Sequence, residues 1–121
     1  MNRSHDIYDR LLEFGIRIVK FCKILSKNLE NRVLADQLIR SGTSVGANMQ
    51  EADAASSRKD FINKVNISKK EIQETNYWLK TVLGAGLVNN EINKQELQSL
   101  LKESDELIRI IGTILHRTIN K

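Results

Sequence analysis

The sequence contains no proline and a single cysteine, Cys22, and only 5% of its 121 residues are aromatic. Without proline, no helix is forced to break or kink, and one cysteine cannot form an internal disulfide. No apolar run approaches the roughly 20 residues that a membrane-spanning helix needs. The first ten residues, MNRSHDIYDR, lack the apolar core of a signal peptide. We therefore expect a cytoplasmic protein rather than a secreted or membrane-embedded one.

The remaining composition is that of a soluble globular chain, with 40% hydrophobic and 28% charged residues. A mass of 13.8 kDa is enough for a single domain with its own core, which we expect to span residues 1–121. Lys and Arg number 19 and Asp and Glu number 15, so the net charge is +4. The excess lies in residues 1–28 and 58–80, each with six basic and three acidic residues.

Apolar residues recur at alternating spacings of four and three in four segments, as in Ile7, Leu11, Phe14 and Ile18 of the first. This is the pattern of a packed helix face, and no alternating strand pattern competes with it. Four such helices with short connections predict an all-α, antiparallel up-down four-helix bundle. The helices are expected near residues 5–27, 31–55, 58–83 and 94–119. Their end signals are a capping box at Ser57–Asp60, a stop at Gly84 and Gly86, and a second capping box at Asn93–Glu96.

Helices two and three carry small or polar residues where leucine would be expected, including Ser68 and Thr75. Gly42 and Gly46 each cost about 1 kcal/mol relative to Ala inside a helix, and a closely approaching neighbour could offset that cost. We interpret residues 41–48, SGTSVGAN, as a tightly packed helical segment. A phosphate-binding loop is excluded because the glycine spacing is wrong, no Lys follows Gly46 and no strand precedes the run.

The sequence offers no convincing catalytic or metal site. Cys22 has apolar neighbours and no basic partner, which favours a buried structural thiol. His5 and His116 lack a third ligand, and the Glu-x-x-His pairs of a di-iron bundle do not occur. We therefore predict a protein that is not an enzyme and that holds no cofactor and no metal.

Apolar residues outside the four core faces have two interpretations, a broad core with scattered surface residues or a subunit interface. In the second, Trp78 would be a buried anchor between subunits. These residues are Tyr8, Leu12, Ile16 and Val19 on helix one, Ile67 and Trp78 on helix three, and Leu100, Leu107 and Ile114 on helix four.

Helix two also has a polar flank. Arg40 and Glu51 lie three turns apart and cannot pair within one straight helix, so each should find a partner on another helix or another subunit. The residues to which we assign structural or interface roles are Arg40, Ser44, Gly46, Asn48, Glu51 and Trp78.

The basic residues of helices one and three are candidates for nucleic-acid contacts. Lysines bind phosphates, amides donate to phosphates or base edges, and tyrosine stacks on unpaired bases. The alternative is a helix face that is merely solvated. The candidates are Arg17, Lys20, Lys27, Lys59, Asn63, Lys69, Lys70 and Tyr77.

Five stretches together resemble a known family: RIVKFCK at 17–23, QLIRSGTSVGAN at 37–48, EA at 51–52, KDF at 59–61 and KEIQETNYWL at 70–79. The chain resembles the small bacterial four-helix bundles named after proteins encoded in intervening sequences of 23S rRNA genes, some of which are labelled ribosomal proteins. That family is similar to the accessory variability protein of diversity-generating retroelements, a homopentameric barrel thought to bind nucleic acid and a reverse transcriptase. The resemblance implies a ring oligomer, a nucleic-acid partner and no enzyme activity.

The leading hypothesis is a non-enzymatic, homopentameric scaffold that binds nucleic acid, RNA above all, through basic faces of helices one and three. A protein partner such as a reverse transcriptase is a further expectation. The alternative is a protein-interaction module without nucleic-acid binding, and a third hypothesis, an RNA-processing enzyme, has no site chemistry to support it.

Overall fold

The computed structural model describes residues 3–121, with side chains from Ile7 onward. Within this range the chain forms four α-helices and no strand, which confirms the predicted all-α bundle. His5, considered above as a metal ligand, lies outside the described side chains. None of the helices in this range is long and apolar enough to cross a membrane. The helices are α1 (Arg3–Leu25), α2 (Leu29–Asp53), α3 (Arg58–Gly84) and α4 (Glu91–Ile119).

Both ends of α3 follow the predicted signals. The Ser57 hydroxyl accepts a hydrogen bond from the backbone N–H of Asp60 at 3.0 Å, which satisfies one of the free amide groups of the first turn. The helix ends at Gly84, and Gly86 has a φ of +66°. This left-handed conformation costs glycine little, so the chain can turn away there.

The start of α4 was predicted three residues too late. Asn90 caps the helix, and its side-chain oxygen accepts from the backbone N–H groups of Ile92 and Asn93. Asn93 therefore lies inside the first turn, and the capping box expected at Asn93–Glu96 was wrong. Asn90 and Asn93 are both good caps, and the sequence does not decide between them.

The order of packing around the bundle determines which surfaces can act together. Over the described residues, α2 packs against α1 and α3, and α4 packs against α3 and α1. The helices α1 and α3 therefore occupy opposite corners, and their outer faces point in opposite directions. The predicted core positions are buried or half-buried on all four helices, with Leu38 and Ile72 fully buried.

The wide apolar arc of α4 belongs to the core. Leu100 and Leu107 are each 0% exposed, and Ile114 packs partly buried against the core. The arc of α4 covers the directions of both of its neighbours, α1 and α3, and of the core between them. The interpretation of Leu100 and Leu107 as part of a subunit interface was therefore wrong.

The predicted close approach to helix two is confirmed, and the neighbour is α1. A Cβ added to Gly42 would lie 3.0–3.2 Å from atoms of the Ile18 side chain, closer than ordinary contact. A Cβ on Gly46 would lie 3.4–3.5 Å from Leu11, including its backbone. The absence of side chains at these positions lets α1 and α2 pack closely.

Buried hydroxyl groups set the register between α2 and α3. The Ser68 hydroxyl donates to the carbonyl oxygen of Val45 at 2.8 Å, and the Thr75 hydroxyl donates to Ser41 Oγ at 2.9 Å. Ser41, Ser68 and Thr75 are each 0% exposed. Because an unpaired buried hydroxyl is costly, a shift along the helix axis is disfavoured.

Candidate nucleic-acid interface and neighbouring surfaces

The charged flank of α2 finds its partners on α3. The Arg40 guanidinium lies 3.2 Å from Glu71 Oε1 and also pairs with Glu74. The Glu51 carboxylate lies 2.7 Å from Lys64 Nζ. The sequence-based expectation that Arg40 and Glu51 pair with another helix is therefore confirmed, and both partners lie in the same protomer.

Two other residues of the predicted α2 flank interact with each other. The Asn48 side-chain amide donates to the carbonyl oxygen and to the hydroxyl of Ser44, both at 2.9 Å. Both residues are half-buried. Both of these bonds stay within α2.

Trp78 lies half-buried on the side of α3 that faces α2. Its indole N–H donates to Glu74 at 3.0 Å, and the ring packs against the core. Tyr77 meets the Trp78 ring edge-on at a centroid distance of 5.2 Å, but is itself 62% exposed. Ile67, 40% exposed, precedes Trp78 by three turns on the same flank.

The α1 candidates for nucleic-acid binding do not form one patch. The Arg17 guanidinium lies 3.1 Å from Glu96 and donates to Ser99 Oγ at 2.9 Å, so it joins α1 to α4. Lys20 is exposed toward the α2 side of α1, and Lys27 is exposed in the turn after the helix.

A second ion-pair cluster between α1 and α4 was not predicted. Arg10 lies 2.7 Å from Glu103 and 2.8 Å from Glu106. The two carboxylates raise the pKa of the guanidinium above its usual value. Hydrogen bonding to Arg10 in turn holds the pKa of Glu106 below its ordinary value. Glu103 and Glu106 of α4 are thus joined to α1 through Arg10.

A buried asparagine on α3, Asn76, joins α3 to α4 through hydrogen bonds. The Asn76 side chain donates to Ser104 Oγ at 2.7 Å and to Asp105 Oδ1 at 3.0 Å. Residues three, four or seven positions from Asn76 or Asp105 lie on the same flank of their helix. These flanks border the outer groove between α3 and α4.

Cations dominate both flanks of this groove. Lys69 and Lys80 flank Asn76 on α3, and Lys102 and Arg109 flank Asp105 on α4. We call these four cations the α3/α4 basic face. Lys69 is half-buried and the other three are exposed, and no ion pair involves any of them within the described residues.

The remaining α3 candidates lie beside this face, on the outward side of the helix. Sequence analysis missed the contribution of α4 because residues 81–121 carry five basic and five acidic residues. A helical projection of α4 alone would have shown that Lys102 and Arg109 share one side of the helix. The α3 residues are Lys59, Asn63, Lys70 and Tyr77, all exposed.

The opposite side of the bundle carries an apolar groove of about 620 Å³ between α1 and α2. Its floor is the close helix crossing at Gly46, and Lys20 and Lys23 lie at one end. Leu12 is 63% exposed, so the groove is open to solvent. We call it the α1/α2 groove, and its apolar lining includes Leu12, Ile16, Val19 and Ala47.

Cys22 lies in the core. Its Sγ is 3.5 Å from the carbonyl oxygen of Ala35, and burial raises the pKa of the thiol to about 12. Cys22 is therefore a neutral thiol at physiological pH. Among the described residues no group of three or more His, Cys, Asp or Glu side chains could hold a metal ion.

The sequence model of the 23S rRNA-intervening sequence proteins matches residues 3–113. The chain belongs to this family. A structure similar to this member of the family is a 1.70 Å crystal structure from Bacteroides thetaiotaomicron, of a protein with unknown function from the S23 ribosomal protein family. The two share 38% sequence identity and a TM-score of 0.81, over 90% of this chain and 97% of the other. No curated protein matches the chain.

The match to the 23S rRNA-intervening sequence proteins covers α1 to α3 completely and α4 as far as Thr113. Both the α1/α2 groove and the α3/α4 basic face therefore lie inside the region typical of the family.

Proposed function

We propose that this protein is a non-enzymatic, homo-oligomeric scaffold, a five-subunit ring, that binds RNA through the α3/α4 basic face. The observation that carries the proposal is the position of four cations along the outer groove between α3 and α4. Glu96, Glu103 and Glu106 pair with Arg10 or Arg17 of α1. Lys102 and Arg109 form no ion pair within the described residues, although their charges help to lower the pKa of the neighbouring Glu106.

The α3/α4 basic face has the chemistry of a phosphate-binding surface. Lys69 and Lys80 are eleven residues apart, or about 16 Å along the helix axis, and Lys102 and Arg109 form a second row on α4. The carboxylate of Asp105 between the rows accepts a hydrogen bond from Asn76, which partly offsets its repulsion of phosphates. Two rows of cations can follow a strand backbone without reading its sequence.

RNA is favoured over double-stranded DNA by the aromatic residue beside this face. Tyr77 is 62% exposed, although its neighbour Trp78 is half-buried. An exposed ring stacks on unpaired bases, which occur in RNA loops and ends. A ring oligomer would repeat this surface in each subunit, with a net charge of +4 per chain.

The test is a fluorescence-anisotropy titration of the wild-type protein with single-stranded RNA, duplex RNA and single-stranded DNA at several salt concentrations. We expect affinity to fall steeply with salt, with a log–log slope of about 0.7 for each phosphate contacted on a single strand. Light scattering should give a mass five times 13.8 kDa. The absence of RNA binding at low salt would contradict the proposal.

The second candidate function is a protein-interaction module without nucleic-acid binding. The α1/α2 groove favours it, because an open apolar groove suits an amphipathic helix. The titration separates the two functions, since the interaction module would bind no RNA at low salt.

A further inference from the structure

Two surfaces of the protomer expose apolar side chains on adjacent sides of the bundle. The first is the α1/α2 groove, with Leu12, Ile16 and Val19. The second lies on the side of α3 toward α2, where Ile67 is 40% exposed and Trp78 is half-buried. We call the second surface the α3 flank.

The contacts of α2 with its two neighbours show that these surfaces lie at the same height along the bundle. Gly46 faces Leu11 on α1, and its neighbour Val45 accepts the hydrogen bond of Ser68 on α3. One turn further, Gly42 faces Ile18, and its neighbour Ser41 accepts the hydrogen bond of Thr75. Leu11 and Ile18 on α1 are seven residues apart, and so are Ser68 and Thr75 on α3. The two helices therefore keep the same register along the bundle axis.

The apolar stripe from Leu12 to Val19 and the α3 flank from Ile67 to Trp78 consequently share the same midpoint height. Rotation about an axis parallel to the bundle moves a subunit sideways without changing its height. The α3 flank of one copy would then meet the α1/α2 groove of the next copy. The adjacent sides face about a right angle apart, close to the angle between the two neighbours of a subunit in a ring of four or five.

Charge on the two surfaces is also complementary. Lys20 and Lys23 lie at one end of the groove, toward the carboxyl end of α1. On the α3 flank, Glu71 and Glu74 place two carboxylates against the single guanidinium of Arg40, which leaves a net negative charge. At matched heights, Lys20 of one copy would lie within about one turn of Glu74 of the next, or about 4.5 Å along the helix axis.

We propose that the subunit contact is heterologous, with the α3 flank of one copy seated in the α1/α2 groove of its neighbour. This inference rests on the homo-oligomer of the proposed function. It leaves the α3/α4 basic face outside the contact, so every subunit of the ring keeps that face accessible. Gly46 would then have two roles. It allows α1 to pack closely on α2, and it forms part of the floor of the groove that receives the neighbouring subunit.

The test uses Leu12→Cys and Ile67→Cys, singly and combined, with a short bismaleimide cross-linker. Both positions are exposed, so the substitutions should leave the fold intact, which circular dichroism can check. The native Cys22 is 1% exposed and should not react. The matched control combines Leu12→Cys with Thr113→Cys, because Thr113 is exposed on α4, away from both surfaces.

The double variant should give a denaturing-gel ladder of covalent oligomers up to five chains, and the single variants and the control should remain monomeric. A dimer from Leu12→Cys alone would show that α1 pairs with itself and would overturn the proposal. If the wild type is oligomeric in light scattering but the double variant gives no ladder, the proposed contact is wrong and the homo-oligomer is still supported. A monomeric wild type in light scattering would overturn both.

Discussion

A Cβ on Gly42 would lie 3.0 Å from Cγ2 of Ile18, so the closest approach of α1 to α2 depends on a missing side chain. Gly42→Leu should therefore destabilise the protein, although leucine is the better helix former. Overpacking of this kind typically costs about 1–3 kcal/mol. Urea denaturation followed by circular dichroism measures the change in the free energy of unfolding.

Gly112 is the matched control. It also lies within a helix, but a Cβ there would meet no atom within 4 Å. Gly112→Leu should leave stability unchanged or raise it by up to about 1 kcal/mol, since only the helix propensity changes. Equal losses for the two variants would mean that close packing of α1 on α2 is not the reason for Gly42.

The pair Arg10–Glu106 should make stability depend on pH. Hydrogen bonding to Arg10 lowers the pKa of Glu106 from 4.5 in the folded state. The stabilisation is therefore present above the unfolded-state pKa and is lost as the pH falls through the folded-state pKa. Between about pH 5 and about pH 3, the wild type should lose more stability than Glu106→Gln.

Urea denaturation at a series of pH values measures this difference. In an Arg10→Gln background, Glu106→Gln should change the pH dependence much less, because the main cause of the lowered pKa is gone and only the charges of Arg109 and Lys102 remain. A difference of the same size in that background would assign the effect to a group other than Arg10.

The bundle could be predicted from the sequence because each helix buries one continuous face. Phe14 and Ile18 on α1, like Ile72 and Leu79 on α3, follow the period of the helix and are all buried. Such a pattern is local, and it does not depend on which helix is the neighbour.

The surface could be predicted only in part, because its organisation depends on which helices are neighbours. Arg17 was predicted to bind nucleic acid, but it forms an ion pair with Glu96 of α4, which is distant in the sequence. Lys102 and Arg109 lie in a segment of zero net charge, so the charge count did not reveal that α4 packs them beside Lys69 and Lys80 of α3. For the same reason, the sequence left open whether Leu107 belongs to the core or to a subunit interface, and the structure buries it in the core.

Tyr77 should contribute to the binding of single strands more than to that of duplexes. The ring is 62% exposed, and stacking on an unpaired base is worth about 1–3 kcal/mol. Tyr77→Ala should weaken binding of single-stranded RNA and leave binding of duplex RNA nearly unchanged. Tyr77→Phe is the matched control, because it keeps the aromatic ring and should bind like the wild type in the same anisotropy titration. Equal losses for both RNA forms would contradict a stacking role.

The most direct test of the central claim compares two triple variants with the same change in charge. One removes part of the α3/α4 basic face through Lys69→Gln, Lys102→Gln and Arg109→Gln. The other removes cations elsewhere through Arg32→Gln, Arg117→Gln and Lys121→Gln, all at exposed positions.

The measurement is the salt dependence of single-stranded RNA binding by fluorescence anisotropy. The basic-face variant should bind more weakly for every sequence, and its log–log slope should flatten by about 0.7 for each phosphate that the variant no longer neutralises. The other variant should keep the wild-type slope. Equal weakening and equal slopes in the two variants would show that RNA responds only to net charge, and would contradict the α3/α4 basic face as its binding site.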